Sequence, residues 1–163
     1  MVRGLGEGRR EGRLCKECLH EVLQGEGGCL VLPLKGIQQL IKDSDLFKQV
    51  YIGKLDNKKE KSLGIYHRKS SGTPIKALGG LEHTSYGISP ISLLIHWNKS
   101  FVETEDAAIK LFQFLQSKDK AFQIGDTVVR YLSLAVPEPQ DVGTDDSGVY
   151  EFVIWIDVIY ERK

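Results

Sequence analysis

The chain has 163 residues, which is enough for one domain that buries a core without metal ions or disulfides. It carries 22 basic and 22 acidic side chains, and this balance provides no overall field that would attract nucleic acid or an anionic membrane. No apolar run reaches the roughly 18 residues of a membrane span, and the N-terminus does not follow the plan of a signal peptide. We therefore expect a soluble intracellular protein without a membrane partner.

Residues 1–32 form a segment that differs in composition from the rest of the chain. They are rich in glycine and in charged side chains and contain no aromatic residue, so they have little with which to form a core. We expect this segment to be flexible or partly helical. The helical part would be Arg13–Gln24, where apolar residues recur at helical spacing until Gly25.

The cysteines of this segment raise the question of a metal site. Cys15 and Cys18 have the spacing of a zinc knuckle, and His20 and Cys29 could complete four ligands. However, His20 follows Cys18 too closely, and a second well-spaced pair is missing. Small apolar residues in a short helix or an unstructured segment explain the pattern better, so we predict no metal site.

Residues 33–163 are expected to form a single α+β domain. A first helix begins near Pro33, presents an apolar stripe around Ile37 and ends around Asp45. Strands are predicted at Gln49–Leu55 and Ser62–Arg68, and the polar turn between them predicts a hairpin. Residues 70–90 contain several glycines and prolines and are expected to form an extended loop.

The second half of the domain alternates strand and helix patterns. Ile91–Trp97 is a predicted strand, and a helix capped by Thr104 follows, with its buried stripe at Ala108, Leu111, Phe112 and Leu115. Two further strands, Phe122–Ile124 and Val128–Val136, flank a Gly-Asp turn. Together these elements predict a mostly antiparallel sheet packed against two helices.

The last strand carries the strongest pattern in the chain. A turn-forming cluster, Gly143–Gly148, opens into residues 150–160, whose even-numbered positions form a strongly apolar face. The opposite parity also holds Val153, Trp155 and Ile159, which is too apolar for a surface that faces only water. We predict that these three residues lie against a helix of the same chain or form an interface between subunits.

Catalytic motifs are missing from the sequence. His67, His83 and His96 are scattered, and no serine or cysteine stands in a nucleophile motif. Asp145 and Asp146 occupy a turn flanked by glycine and serine, where such residues usually stabilise hairpins rather than bind cations. We therefore predict that the protein is not an enzyme and has no cofactor.

A group of basic residues is the candidate for contact with a partner or with nucleic acid; it comprises Lys58, Lys59, Lys61, Arg68 and Lys69. Clustered cations next to an aromatic side chain such as Tyr66 are able to meet phosphates. Charged residues at a solvated hairpin tip explain the pattern equally well and are more common. We expect nucleic acid to be no more than a secondary partner.

Several segments of the body resemble the bacteriophage minor capsid protein family of phages and prophages of Gram-positive bacteria. The resemblance rests on Leu46–Leu55, Leu63–Tyr66, Leu93–Trp97, Ala107–Ala108 and Gly143–Phe152, and it extends over residues 35–162. The loop at residues 70–90 is longer and richer in glycine than expected for this family. The cysteine-containing N-terminal segment has no counterpart in it.

The resemblance implies a fold akin to tail-terminator and tail-completion proteins, which assemble as rings, often hexameric, where the tail tube meets the head connector. It therefore implies a structural virion protein that is located at the head–tail junction, and in the host cytoplasm during assembly or when prophage-encoded. Its partners would be copies of itself, the tail tube and the connector. The alternatives are a small enzyme or ligand-binding domain that uses a cleft under the 70–90 loop, and a phage protein that contacts DNA.

Charge is distributed unevenly along the chain. From residue 137 to the end there are seven acidic and two basic side chains, which leaves the preceding part positive. Such an asymmetry is able to orient a head-to-tail contact between copies. Chance explains it as well.

Overall fold

The computed structural model describes residues 32–69, 75–80 and 83–162. The elements in chain order are α1 (Leu34–Lys42), β1 (Gln49–Ile52), β2 (Ser62–His67), β3 (Tyr86–His96), α2 (Phe101–Gln116), β4 (Phe122–Ile124), β5 (Thr127–Leu134), β6 (Gln140–Thr144) and β7 (Tyr150–Glu161). The predicted α+β class is confirmed. The N-terminal helix predicted at residues 13–24 lies outside the described residues.

All seven described strands belong to one sheet, in the order β1-β2-β3-β7-β5-β4. The last strand, β7, is its centre, because β3 pairs with it antiparallel over its whole length. On the opposite edge of β7, β5 pairs with its second half and β6 with its first half. The sheet is mixed but mostly antiparallel, as the sequence predicts.

The predicted hairpin between the first two strands is wrong, because β1 and β2 are parallel, with Gln49 opposite Ser62 and Ile52 opposite Ile65. The chain leaves β1 at Gly53, where φ is +78° and the amide donates to the carbonyl of Ile65. It returns through residues 54–61 and starts β2 beside the beginning of β1. A polar connection of this kind marks a turn between strands without fixing their relative direction.

Both helices pack on the same face of the sheet. The buried side chains of α1 and α2 form one cluster with alternate residues of β2, β3 and β7, such as Ile65, Leu93 and Ile156. Helix α1 contacts β1 and β2 at one end of the sheet and β4 at the other. Because opposite ends of the sheet reach the same helix, the sheet must curl around it.

The second helix begins earlier than predicted. Ser100 is its N-cap, and the hydroxyl of Ser100 accepts a hydrogen bond from the amide of Glu103. The predicted cap, Thr104, is fully buried inside the helix and donates its hydroxyl to the carbonyl of Ser100 at 2.8 Å. Two hydroxyl residues four positions apart both fit the capping pattern, and tertiary packing decides between them.

The loop predicted at residues 70–90 is shorter than expected, because β3 begins at Tyr86 and includes Pro90. The carbonyl of Pro90 accepts from the amide of Arg68, just beyond the end of β2. In a strand, the amide and the carbonyl of one residue point to the same neighbouring strand, so the amide hydrogen that Pro90 lacks would also point toward β2. Because β2 has already ended there, no hydrogen bond between the strands is lost. Proline is therefore tolerated within the strand at this position.

Candidate interaction surface

The face of the sheet opposite the helices carries the candidate site, and we call it the open face. The strand registers bring the following side chains together on it: Tyr66 of β2; Ile88, Ser92, Leu94 and His96 of β3; Tyr131 of β5; and Glu151, Val153, Trp155, Asp157 and Ile159 of β7. None of these residues belongs to the core cluster that contains both helices. Within the described part of the chain, therefore, neither helix covers the open face.

The three predicted interface residues lie on this face, but they differ in exposure. Val153 and Ile159 are each 8% exposed, whereas Trp155 is 39% exposed. The two aliphatic side chains are already buried within the single chain. Trp155 is thus the member of the set that offers apolar surface to a partner.

An ion pair fixes the surroundings of Trp155. The Arg68 guanidinium lies 2.5 Å from the Asp157 carboxylate and 5.8 Å from the centre of the Trp155 ring, a cation–π distance. The indole is therefore held against a charged neighbour instead of moving freely over the strand. Such an oriented aromatic is typical of the anchor residues of protein interfaces.

One end of the open face contains an open hollow of about 420 Å³. It is lined by Ser85, Tyr86, Ile88, Arg130, Tyr131, Ile159 and Glu161. Tyr86, Ile88 and Tyr131 are 40%, 42% and 48% exposed, respectively. Arg130 and Glu161 form an ion pair at its rim, so an apolar hollow with a neutralised rim remains. We call it the apolar pocket.

The other end of the open face carries polar side chains that pack against one another. His96 is fully buried, and its Nδ1 lies 3.0 Å from Oε1 of Glu151. Its Nε2 faces Oδ2 of Asp145 at 4.0 Å, and neither of these two atoms has a hydrogen-bond partner. The imidazole thus lies between two carboxylates and links the end of β3 to the start of β7.

Asp145 also organises the turn before β7. Its Oδ1 accepts hydrogen bonds from the amides of Ser147 and Val149, both at 2.9 Å. Burial raises the pKa of Asp145, but these two hydrogen bonds, together with the charges of His96 and Lys99, outweigh it and hold the pKa below its ordinary value. The carboxylate is therefore kept ionised at neutral pH.

Tyr66 lies at the same polar end. Its ring lies over Gly64, where a side chain would overlap it. The pKa of the Tyr66 phenol is raised, mainly by burial. A hydrogen bond with the backbone of Leu55 lowers the pKa in part, and the negative charge of Glu151 raises it further. The phenol is therefore neutral, and this end of the open face offers buried polar groups rather than an accessible cleft.

The predicted basic patch is not brought together. Lys58, Lys59 and Lys61 precede β2, whereas Arg68 and Lys69 follow it. An extended strand separates Lys61 from Arg68 by seven residues, or about 23 Å at roughly 3.3 Å per residue. The Lys61 ammonium lies 5.4 Å from the centre of the Trp97 ring, and Arg68 is paired with Asp157. The five cations therefore do not form one phosphate-binding surface.

The histidines do not converge either. His67 of β2 lies opposite Ile91 of β3, and His96 comes five residues after Ile91 in the same strand. At roughly 3.3 Å per residue, the two histidines are therefore about 17 Å apart along the strands. His83 lies in the connection before β3, where its ring packs against Gly79. Residues 70–74, which would complete the suggested cleft under the loop, lie outside the described residues.

A second hollow, of about 310 Å³, lies between α2 and the segment that enters β1. Its walls contain the Phe47 and Trp97 rings, which meet edge to face at 5.6 Å between centres. Acidic side chains (Asp45, Glu103, Asp106) alternate with basic ones (Lys61, Lys110) around it. Three acidic and two basic side chains therefore line it, so the charges are of both signs and favour no single class of ligand.

The described part of the chain contains no group of three or more His, Cys, Asp and Glu side chains placed to hold a metal ion. The weak zinc candidates Cys15, Cys18, His20 and Cys29 lie outside the described residues. Neither described helix is long and apolar enough to cross a membrane.

No protein-family model matches the chain, and no curated protein matches it either. The candidate site therefore stands on the geometry of the open face. The sequence pattern identifies Val153, Trp155 and Ile159 but not Tyr86, Ile88 and Tyr131. The alternation of apolar and small residues from Tyr86 onward was the available signal, and Gly87 and Pro90 obscured it.

Proposed function

We propose that this protein is a structural subunit of a phage or prophage virion that acts at the head–tail junction. It forms a ring of identical copies that terminates or completes the tail and docks it to the head connector. The observation that supports assembly is the open face, which exposes Trp155 and the apolar pocket without a described helix over them. Exposed apolar side chains grouped on one face of a sheet are typical of interaction sites.

The asymmetry of the open face favours a ring over a symmetric pair. At its polar end the side chain of His96 is buried against Glu151, whereas its apolar end, around Ile88 and Tyr131, contains the apolar pocket. An interface that joins two different patches of the same chain is heterologous, and it closes into a ring when the rotation between neighbours permits. The placement at the head–tail junction is supported by the resemblance of residues 35–162 to phage minor capsid proteins.

Trp155 provides the direct test of assembly through the open face. Trp155→Ser removes the exposed anchor without opening the core, so we expect the folded protein to shift from a multi-subunit ring to smaller species. Light scattering coupled to gel filtration, with and without tail tube protein, measures this, and negative-stain microscopy shows whether rings form.

The matched control is Val102→Ser, which removes a 64% exposed side chain from α2, on the other layer of the fold. It should leave the mass unchanged. A wild-type protein that stays monomeric both alone and with tail components would contradict the proposed function.

A further inference from the structure

A short turn between β2 and β3 presents a leucine to solvent. Ala77 and Gly80 form an isolated β-bridge, and the amide of Gly80 donates to the carbonyl of Ala77 at 2.9 Å. Leu78, at the tip, has a relative exposure of 112%. It is therefore a large apolar side chain that touches essentially nothing in its own chain.

The side chain of Thr84 holds the backbone of this turn in place. The hydroxyl of Thr84, itself only 6% exposed, accepts from the amide of Ala77 and donates to the carbonyl of Gly80, both at 2.9 Å. Gly80 has φ +99°, a conformation that glycine adopts without strain. These contacts fix the backbone on both sides of Leu78, so its exposure is built into the turn.

The apolar pocket has the complementary chemistry. Its walls are Tyr86, Ile88 and Tyr131, and its volume of about 420 Å³ exceeds what a single leucine side chain needs. The Arg130–Glu161 pair neutralises the charge at the rim, so the pocket favours an uncharged apolar group. Because Leu78 is fully exposed, it does not fill the pocket of its own chain.

We propose that Leu78 of one copy inserts into the apolar pocket of a second copy. This inference rests on the proposed function and names the contact that would join neighbours in the ring. Gly80, two residues after Leu78, has no side chain and nothing within 4 Å of where a Cβ would stand, so this side of the turn is able to approach a concave surface closely. Such a contact joins neighbours in a ring when it is heterologous, that is, when Leu78 of the second copy inserts into the pocket of a third copy instead of returning to the first.

Two variants separate the two halves of the contact. Leu78→Ser removes the inserted side chain, and Tyr131→Ser removes a pocket wall. Each should weaken self-association about 10- to 100-fold, as expected for one buried apolar side chain. Sedimentation velocity over a concentration series measures the dissociation constant. Thermal unfolding followed by circular dichroism, at a concentration where the wild type is dissociated, should be unchanged because both side chains are exposed. Val102→Ser should bind like the wild type.

Mixing the two variants supplies a sharper test. Each variant alone lacks one side of every contact, but a Leu78→Ser copy still offers its pocket to the Leu78 of a Tyr131→Ser copy. The mixture should therefore form one-to-one pairs with wild-type affinity that do not grow into rings.

The outcomes distinguish this inference from the proposed function. If the wild type assembles and Leu78→Ser assembles with the same affinity, the inserted-leucine contact is wrong while ring formation stands. If the wild type is monomeric alone and with tail tube protein, both are wrong. Weakening by Leu78→Ser and Tyr131→Ser, together with pairing in the mixture, supports the contact.

Discussion

His96 shows how a single residue ties separate parts of this fold together. It ends β3, and its two ring nitrogens face Glu151 of β7 and Asp145 of the preceding turn. The imidazole is fully buried, and its Nδ1 is within hydrogen-bond distance of Glu151. His96 thus lies between the turn at residues 143–148 and the start of β7, which is the structural role that its place in a predicted strand favours.

Asp145 should be the most sensitive residue of this cluster. Asp145→Ala removes the acceptor of two amide hydrogen bonds, and hydrogen bonds to charged groups contribute about 1.5–3 kcal/mol each. Because part of this is recovered by water at the surface turn, we expect a loss of about 1–3 kcal/mol in the free energy of unfolding. Urea denaturation at pH 7 measures it. Asp146→Ala, at the exposed neighbouring position, should change it little.

The pH dependence of this effect has a defined sign. The pKa of Asp145 is lower in the folded protein than its ordinary value, so the ionised form stabilises the fold. The contribution is present above the pKa of the unfolded chain, near pH 4, and is lost as the pH falls through the folded value. The stability difference between wild type and Asp145→Ala should persist at pH 5 and shrink below about pH 4. A difference that grew on acidification would contradict the ionised carboxylate.

At the scale of elements, α1 packs against both ends of the curled sheet. Gly36 allows the close approach of α1 to β4. A Cβ on Gly36 would overlap the Cγ2 methyl of Ile124 in β4. Glycine to alanine inside a helix normally stabilises by roughly 0.5–1 kcal/mol, whereas overpacking costs roughly 1–3 kcal/mol. We expect Gly36→Ala to lower the free energy of unfolding, as measured in urea.

A double-mutant cycle identifies the cause. Ile124→Ala removes the methyl group that a new Cβ would meet, so Gly36→Ala should be neutral or stabilising in that background. Equal effects of Gly36→Ala in both backgrounds would show that α1 does not rest on β4. The cycle thus tests whether one helix joins the two ends of the sheet.

The strands and helices with strong local patterns were predictable from the sequence. The two-residue period of β7 gave both its extent and its core face, because side chains of a strand alternate between two faces. The stripes of α1 and α2 were found for the corresponding reason, since helical spacing places them on one side. These patterns also identified Trp155, which belongs to the candidate site.

Features that depend on pairing partners were not predictable. β6 contains Gly143 and follows two prolines, and it is a strand only because β7 offers its edge there. β1 is parallel to β2 because the connection at residues 53–61 returns to the start of β1, and no local pattern records that path. The apolar pocket combines residues of β3, β5 and β7, so it exists only after the sheet forms.

At the scale of the whole molecule, four of the seven acidic side chains of the C-terminal region face basic groups of their own chain. Asp157 pairs with Arg68, Glu161 pairs with Arg130, and Glu151 and Asp145 face His96. The other three acidic side chains of the region are exposed: Glu138, Asp141 and Asp146. The charge asymmetry seen in the sequence therefore leaves few carboxylates to attract a neighbouring copy.

Assembly should accordingly depend little on salt. Raising sodium chloride from about 0.1 M to about 1 M shortens the Debye length from about 10 Å to about 3 Å. This weakens contacts between exposed charges but not apolar contacts such as those proposed for Trp155 and Leu78. Because exposed ion pairs contribute only about 0.2–1 kcal/mol, we expect the dissociation constant for self-association to change by less than about threefold. Sedimentation equilibrium at both concentrations measures it. A loss of assembly at high salt would instead place the interface at the exposed carboxylates, and Glu138→Gln with Asp141→Asn should then reproduce that loss at low salt.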